Sequence, residues 1–242
     1  MTDAVLHTAL QDGVLTVTLN RPSKLNAINL ELAHALLAAL QSAEHNEAVR
    51  AILLQGNGRA FCAGRDTSEA PTDADLQAVQ AVSQALVQGS KPVVALVHGW
   101  VLGAGLEWML NADVCIAADT ARFKLPEASL GVFVTGGITA LLPAMAGLAR
   151  AKALMLLGEE FSAADALAWG LVWKVLPADA ACHAALQAAR QLAQLAPEVS
   201  SGFKKVLNTV GAAQFDQAGA LETAMQRTLM ASAPSHPKDK PA

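Results

Sequence analysis

Residues 91–119 read KPVVALVHGWVLGAGLEWMLNADVCIAAD, and this stretch decides the class of fold. Its apolar run PVVALV is typical of a short buried strand, and the glycine-rich loop HGWVLGAG leads from that run into a short predicted helix, LEWMLNA. A second apolar strand, DVCIAAD, follows the helix. Strand, loop, helix and strand in this order predict an α/β fold.

The same alternation extends outward on both sides. Toward the N-terminus, VLHTAL and VLTVTLN are joined by the turn QDG and predict a β-hairpin, and AILLQG predicts another buried strand. Two amphipathic helices are predicted between these strands, one beginning after the N-cap Asn29 and one at a Thr/Asp cap at Thr72. RFKL, after residue 121, is a candidate for one more strand.

From Gly136 onward the pattern turns helical, interrupted by a strand in LVWKVL. We therefore predict a core over residues 1–176, a helical segment over 177–230 with breaks near Gly202 and Gly211, and a disordered tail over 231–242. The tail sequence ASAPSHPKDKPA contains three prolines among polar residues, which is typical of a loose terminus.

Composition limits the function classes. The 242 residues are 53% hydrophobic and 16% charged, which is ample apolar content for a folded core and excludes disorder of the whole chain. A net charge of −4 disfavours nucleic acid and anionic membrane surfaces as partners. The most apolar stretch, residues 92–106, is too short and too interrupted by glycine to span a membrane, and the N-terminal sequence lacks the pattern of a signal peptide. We expect a cytoplasmic protein, and we interpret its low fraction of charged residues as a sign that apolar surface is buried between subunits.

Several familiar motifs are absent or incomplete. Gly103 and Gly105 begin a dinucleotide-binding pattern, but Trp108 stands where its third glycine is needed. The sequence has no phosphate-binding GxxxxGK[ST], no GxSxG and no HExxH, and its three cysteines form no CxxC pair. We therefore expect no metal site, and we interpret the cysteines as small buried apolar residues.

Two glycine-rich loops remain as candidates for chemistry, FCAGRD at 61–66 and GWVLGAGLE at 99–107. Each follows an apolar strand and can present backbone N–H groups without a bulky side chain in the way. The second loop runs into a helix, whose first N–H groups lack intrahelical partners. Two such donors converging on one point would stabilise an oxyanion, although ordinary tight turns would give the same pattern.

Two glutamates lie in apolar sequence. Glu107 falls just inside the helix that follows the second loop, and Glu127 follows Pro126 at the start of a short helix, PEAS. A buried carboxylate often has a raised pKa, which suits proton transfer near neutral pH. The alternative is that each acid is merely a charge at a helix N-terminus.

The segments RPSKLNAI, FCAGRD, KPVVALVHGWVLGAGLE, ADVCIAADTARFKLPEASLGV and FSAADALAWGLVWKVLP resemble, in this order, the crotonase superfamily of enoyl-CoA hydratases and isomerases. The resemblance covers residues from about 5 to 176. It implies a spiral of ββα turns followed by a C-terminal helical segment that builds homotrimers, often paired as a dimer of trimers. It also implies an acyl-CoA thioester as substrate, with no metal or redox cofactor.

The resemblance assigns roles to individual positions. The thioester carbonyl oxygen would accept hydrogen bonds from the backbone N–H groups of Arg65 and Ala104, while Arg21 and Lys24 could meet CoA phosphates. Other residues would hold the CoA portion: Lys24, Leu25, Ala27, Ala63, Gly64, Asp66 and Gly103.

Both acids of the hydratases are present, whereas many isomerases of the superfamily keep only the later one. The resemblance therefore implies syn hydration of a trans-2-enoyl-CoA, with Glu107 activating water and Glu127 delivering a proton to Cα. The sequence does not fix how the two acids share these roles. The alternatives are a Δ3,Δ2-enoyl-CoA isomerase or another crotonase reaction, a non-catalytic acyl-CoA-binding subunit, and nucleic-acid binding, which the negative net charge disfavours.

Four features depart from the superfamily pattern. Arg65 replaces a small residue, and Ala104 replaces the middle glycine of its loop. GVFVTGGIT replaces the common GTIPGAGGT, which we expect to make the acyl pocket more apolar through Phe133 and Val134. The closing pattern of an acidic turn, AF and a basic end is also missing.

Overall fold

The structure, a computed structural model, describes residues 4–68, 70 and 72–232. The strands in chain order are β1 (Leu6–Gln11), β2 (Val14–Leu19), β3 (Ala51–Gly56), β4 (Val93–Val97), β5 (Trp100–Leu102), β6 (Val114–Ala118), β7 (Arg122–Lys124), β8 (Phe161–Ser162) and β9 (Lys174–Leu176). A large sheet has the order β1-β2-β3-β4-β6-β9 and is parallel except for the β1–β2 hairpin. A small sheet has the order β5-β7-β8.

The helices alternate with these strands and then continue alone to the end of the described chain. They are α1 (Leu30–His45), α2 (Asp73–Gln88), α3 (Ala104–Leu110), α4 (Ile138–Ala146), α5 (Leu148–Leu157), α6 (Ala163–Ala168), α7 (Ala178–Gln194), α8 (Pro197–Gly211) and α9 (Phe215–Ser232). Short 3₁₀ helices cover Pro22–Lys24 and Glu127–Leu130.

The chain winds as a spiral in which successive turns contribute residues to both sheets. After β3, the chain passes through residues 62–65 before entering α2, and after β4 it passes through β5 before entering α3. Isolated parallel bridges join Ile28 to Arg65 and Cys62 to Val101, so these short segments extend the small sheet. The two glycine-rich loops therefore lie side by side on consecutive turns.

Each face of the large sheet is covered by its own apolar cluster. The larger cluster packs α1, α2 and α3 against one face. On the other face, α7 lies against the sheet through Ala181, Ala185, Ala189 and Ala193, a row of small residues that allows close approach. The proposed domain boundary at residue 176 stays a prediction. Helix α7, which follows this boundary, packs directly on the core.

Local signals in the sequence mostly specify the observed elements. The hairpin is confirmed, and its turn has positive φ at both Asp12 and Gly13, as a tight two-residue hairpin requires. Asn29 accepts the N–H of Leu32, and Thr72 forms a capping box with Asp75 at the start of α2. These caps fix where the helices begin.

Some expectations were wrong. The segment HGWVLGAG is not entirely loop, because β5 forms within it by pairing with β7, whose residues lie twenty-two positions further along the chain. Gly202 does not break a helix: it lies inside α8, whose tertiary contacts outweigh the weak helix propensity of glycine. Gly211 does end α8. In the predicted tail, residues 231–232 complete α9, and residues 233–242 lie outside the described residues.

Lys204 anchors the C-terminal helices to the core. Its buried Nζ donates to the carbonyl oxygens of Leu86 and Lys91 and to the Asp113 carboxylate, at 2.7, 3.0 and 2.9 Å. We expect Lys204→Met to lower the free energy of unfolding by about 3 kcal/mol, because it removes the cation that pairs with Asp113 and the donor to the carbonyl oxygens of Leu86 and Lys91, leaving only the Val93 N–H on the Asp113 carboxylate. Urea unfolding measures this loss, with the exposed neighbour changed in Lys205→Met as control. Equal midpoints for the two variants would contradict the prediction.

Candidate active site

One cavity of about 430 Å³ lies where the two glycine-rich loops meet the C-terminal half of α9. Both loops, both candidate acids and residues of α2 and α9 line it. The lining residues are Ala63, Gly64, Arg65, Thr67, Thr72, Asp75, Leu76, Val79, Gly103, Ala104, Glu107, Pro126, Glu127, Leu130, Val132, Phe133, Thr135, Gln226 and Met230.

The first loop orients the amide of Arg65. Ile28 donates its N–H to the Gly64 carbonyl oxygen and accepts the N–H of Asp66, both at 2.7 Å. In a parallel bridge of this kind the residue between the two partners turns its own N–H to the opposite side. The Arg65 amide is therefore directed away from Ile28, on a loop that lines the cavity.

The second loop places the amide of Ala104 at the start of α3. The first intrahelical hydrogen bond runs from the Glu107 N–H to the Gly103 carbonyl oxygen at 3.0 Å. The Ala104 N–H lies before this bond and therefore has no acceptor within the helix. The positive φ of 49° falls on Gly103, whereas Ala104 is already helical. An alanine at 104 is therefore compatible with the turn, and this departure from the superfamily pattern does not disrupt the loop.

Gly64 sets the spacing between the two loops. It has a φ of +80°, and a Cβ on this residue would lie 2.8 Å from the Leu102 carbonyl oxygen and 3.5 Å from the Ala104 nitrogen. The loops are also joined by a hydrogen bond of 2.9 Å from the Leu102 N–H to the Cys62 carbonyl oxygen. Glycine at position 64 therefore lets the two candidate donors approach each other closely.

Glu107 is buried in α3, with 1% of its surface exposed. Its Oε1 accepts the backbone N–H of Thr135, and its Oε2 is hydrogen-bonded to the Thr135 hydroxyl, both at 3.0 Å. Burial raises the pKa of Glu107 well above its usual value, and the neighbouring carboxylates of Glu127 and Glu222 raise that pKa further. The two hydrogen bonds from Thr135 oppose this rise.

Glu127 is the first residue of the 3₁₀ helix that follows Pro126, so the short helix predicted over PEAS is confirmed. Its Oε2 is buried and has no hydrogen-bond partner among the described residues. Burial raises the pKa of Glu127 to about 7. A Cβ at Gly103 would lie 2.5 Å from Oε1 of Glu127, so the glycine leaves room for this carboxyl group beside the second loop.

The predicted CoA-contacting residues divide into two groups. Ala63, Gly64 and Gly103 line the cavity. The other group lies outside it: Lys24, Leu25, Ala27 and Asp66. Leu25 is adjacent, since its carbonyl oxygen accepts the N–H of Ala63 at 3.0 Å, and Lys24 is exposed.

Two charged residues near the first loop are paired within the protein. Arg21 binds the Asp66 carboxylate at 3.0 Å and the Ala27 carbonyl oxygen. Hydrogen bonds from Ser68, together with Arg21, lower the pKa of Asp66 to about 2. This ion pair stabilises the loop that carries Arg65. Asn26, beside it, is fully buried and donates to the carbonyl oxygens of Ala60 and Phe61 at 2.8 and 3.1 Å.

Sequence reasoning missed the contributions of Thr135 and of α9. Thr135 binds Glu107, Gln226 accepts the N–H of Phe133 at 2.6 Å, and Met230 lines the cavity. Nothing in the local pattern of α9 distinguishes these inward-facing residues from an ordinary helix. Of the cysteines, Cys62 and Cys115 are buried as expected, while Cys182 is exposed.

Comparison with known proteins now identifies the family. A family model for enoyl-CoA hydratase/isomerase matches residues 9–238. The chain is 37% identical to the 1,2-epoxyphenylacetyl-CoA isomerase of Escherichia coli K12 over 93% of this chain and 89% of that protein. It is also 37% identical to the 2,3-dehydroadipyl-CoA hydratase of the same organism, over 81% of this chain and 79% of that one.

Solved structures agree with this assignment. An enoyl-CoA hydratase from Mycobacterium avium subsp. paratuberculosis K-10 superimposes with a TM-score of 0.89 at 30% identity, covering 96% of this chain and 92% of that one. An enoyl-CoA hydratase/isomerase from Pseudoalteromonas atlantica T6c gives a TM-score of 0.87 at 33% identity, covering 95% and 92%.

The chain belongs to the enoyl-CoA hydratase/isomerase family, a family of enzymes in the crotonase superfamily. The crotonase-like α/β fold inferred from the sequence is confirmed.

Within residues 4–68, 70 and 72–232, no three His, Cys, Asp or Glu side chains are grouped so that they could hold a metal ion. None of the described helices combines the length and apolarity needed to cross a bilayer.

Proposed function

We propose that this protein hydrates a trans-2-enoyl-CoA, using the backbone N–H groups of Arg65 and Ala104 as an oxyanion hole and Glu107 and Glu127 as an acid–base pair. One observation carries the proposal: both amide-bearing loops and both acids with raised pKa values line the same cavity. A protein that only bound acyl-CoA would gain nothing from burying two carboxyl groups together.

The reaction follows from these positions. Two hydrogen bonds to the thioester oxygen withdraw electrons from the conjugated double bond and make Cβ electrophilic. One carboxylate removes a proton from water as the water oxygen bonds to Cβ, and the other carboxyl group delivers a proton to Cα. The atoms of one water molecule are thereby added across the double bond. Each placed acid or base contributes roughly 10²–10⁴-fold to such a reaction.

The acyl group has an apolar environment available. Leu76, Val79, Val132 and Phe133 line the cavity together with Met230. The departure GVFVTGGIT contributes Val132 and Phe133 to this wall, while Val134, contrary to expectation, is buried and does not line the cavity. These side chains support an acyl chain of largely apolar character.

The direct test is incubation of the purified protein with a panel of 2-enoyl-CoA and 3-enoyl-CoA esters. Hydration removes the absorbance of the conjugated thioester and adds the mass of one water molecule to the product. The proposal predicts both changes with 2-enoyl-CoA esters. It would be wrong if no member of the panel gained water.

Isomerisation between 3-enoyl-CoA and 2-enoyl-CoA is the second candidate. It is favoured by the likeness, over 93% of this chain, to a protein named as an isomerase of an epoxyphenylacetyl-CoA. An isomerase would move one proton between Cγ and Cα with a single carboxyl group. In the same panel it would create the conjugated absorbance from 3-enoyl-CoA esters without changing their mass.

The activity should depend on pH in a specific direction. The pair must hold one proton, because hydration needs one acid and one base at the same time. The pKa of Glu127 lies near 7 and that of Glu107 is also raised well above its usual value, so we expect the doubly protonated pair to lose its first proton near neutral pH. We therefore expect kcat/KM to rise as pH increases through about 7 and to fall at more alkaline pH. A profile that decreases monotonically from pH 5 to 8 would contradict this assignment.

Separating the two loops should slow the reaction. Gly64→Ala places a Cβ against the Leu102 carbonyl oxygen at a backbone φ of +80°, so the two amides must move apart. Because one misplaced oxyanion donor costs about 10²–10³-fold in kcat, we expect a loss approaching that range. Gly147→Ala is the matched control, since its φ is +82° but no atom lies within 4 Å of the new Cβ. Equal kcat values for both variants would show that the close approach of the loops is unimportant.

We also propose a homotrimer or a dimer of trimers, located in the cytoplasm, without a metal or redox cofactor. Large apolar side chains exposed on α8, among them Phe203, Val206, Leu207 and Val210, support burial between subunits. Light scattering should give a multiple of three times the 25.0 kDa chain mass. A monomeric mass would overturn the assembly, and activity abolished by a chelator would overturn the absence of a metal.

A further inference from the structure

Helix α9 presents two buried polar side chains, Glu222 and Gln226, one helical turn apart. Oε2 of Glu222 accepts the N–H of Gly137 at 2.8 Å, and its Oε1 accepts the N–H and the hydroxyl of Thr139 at 2.8 and 2.7 Å. Gln226 accepts the N–H of Phe133 through its Oε1. Two consecutive turns of α9 thus hold the segment 133–139 at three of its residues.

The middle of that segment binds Glu107. Thr135 lies two residues after Phe133 and two residues before Gly137, and both of its hydrogen bonds are made to the Glu107 carboxyl group. Fixing the backbone at residues 133 and 137 therefore fixes where the Thr135 N–H and hydroxyl point. The orientation of Glu107 in the cavity depends in this way on a helix that is distant in sequence.

A carboxylate is well suited to this position. Gly137 is the N-cap of α4, so Glu222 receives N–H groups from the positively polarised end of a helix. Three donors satisfy a group that is 0% exposed and would otherwise be costly to bury. Helix α9 is itself held on α2, where Gln80 donates to the Thr223 hydroxyl at 2.6 Å and Arg227 pairs with Asp73 at 2.7 Å.

We infer that Glu222, assisted by Gln226, is a positioning residue for the acid–base pair, holding segment 133–139 so that Thr135 orients Glu107. The inference rests on the proposed function, in which Glu107 is one of the two reacting acids. Glu222 does not line the cavity and acts through Thr135.

Glu222 has an electrostatic effect as well as a mechanical one. Its negative charge raises the pKa of Glu107, in addition to the larger effects of burial and of Glu127. Two other charged residues line the cavity around Glu107, Arg65 from the first loop and Asp75 from α2. The reach and the charge of Glu222 can be separated by substitution.

Two variants make this separation. Glu222→Gln keeps the length of the side chain and removes its charge, and its NH₂ group cannot accept one of the two backbone N–H groups that the carboxylate accepts. The pKa of Glu107 should fall, so the alkaline limb of kcat/KM on crotonyl-CoA should move about half a pH unit or more toward lower pH. Glu222→Asp keeps the charge and shortens the side chain. Its alkaline limb should stay in place, while kcat falls by roughly ten- to a hundredfold with little change in KM, because segment 133–139 is released.

Thr223→Val is the matched control, since it removes an α9–α2 hydrogen bond next to Glu222 without touching segment 133–139. It should leave both kcat and the alkaline limb unchanged. If Glu222 had only a structural role, its two variants would lower the unfolding temperature, and neither variant would change kcat or the alkaline limb selectively.

The inference is overturned if folded Glu222→Asp keeps the wild-type kcat, or if folded Glu222→Gln keeps the wild-type alkaline limb. If Glu222→Gln does not fold, the kcat of Glu222→Asp alone decides. Failure of the proposed function looks different, because the unmodified protein would then add no water to any 2-enoyl-CoA ester, or Glu107→Gln would retain full activity. An inactive Glu107→Gln beside Glu222 variants with wild-type kinetics would remove the positioning role and leave the proposed reaction intact.

Discussion

Glu107→Gln should lower kcat on crotonyl-CoA by about 10²–10⁴-fold while the protein still binds CoA thioesters. The amide has the shape of the carboxyl group but cannot exchange a proton with water or substrate near neutral pH. Its oxygen can still accept the Thr135 N–H, and its NH₂ group can donate to the Thr135 hydroxyl, so the local hydrogen bonds survive.

Three measurements make this result specific. Turnover gives kcat, calorimetry with an unreactive CoA thioester gives the binding constant, and thermal unfolding shows that the variant is folded. Glu31→Gln, the same chemical change at an exposed acid in the first turn of α1, is the control and should keep full activity. Undiminished turnover by Glu107→Gln would remove this residue from the mechanism.

Glu127→Gln should cause a loss of similar size, about 10²–10⁴-fold, by a different route. Oε2 of Glu127 has no partner among the described residues, so the carboxyl group is available to exchange a proton with a bound substrate. Glutamine keeps the volume beside Gly103 and removes that proton. It also removes a charge that raises the pKa of Glu107, so the remaining pH dependence should shift to lower pH.

Because the two acids act as a unit, the double variant should be little worse than either single variant. Rates that fall by the product of the two single effects would indicate independent roles. Activity in Glu127→Gln equal to that of the unmodified protein would remove Glu127 from the mechanism.

The sequence predicts those parts of the fold whose signals are local. The hairpin turn at Asp12 and Gly13 and the helix caps at Asn29 and Thr72 each depend on residues within a few positions of one another, and all of them are confirmed. Strands β5 and β8 have only three and two residues, and they form only because β7 lies between them in the small sheet. No local pattern indicates such short strands.

The same limit applies to the site. The glycines and glutamates of the loops can be recognised because they fall in segments that resemble a known superfamily. The contacts of Glu222 and Gln226 with residues 133–139 join positions more than eighty residues apart, through backbone N–H groups that carry no sequence signal. Their neighbours in α9 are largely exposed, so in the sequence both residues look like part of a solvated helix face.

The central claim is that two main-chain amides and two acids surround one thioester. A crystal structure of the protein with a bound 3-hydroxyacyl-CoA product tests it most directly. We predict that the thioester oxygen lies about 2.7–3.2 Å from both the Arg65 and the Ala104 nitrogen atoms, with Cα and Cβ between the carboxyl groups of Glu107 and Glu127. A thioester oxygen that contacts neither amide, or an acyl chain seated outside the cavity between the two acids, would contradict the account.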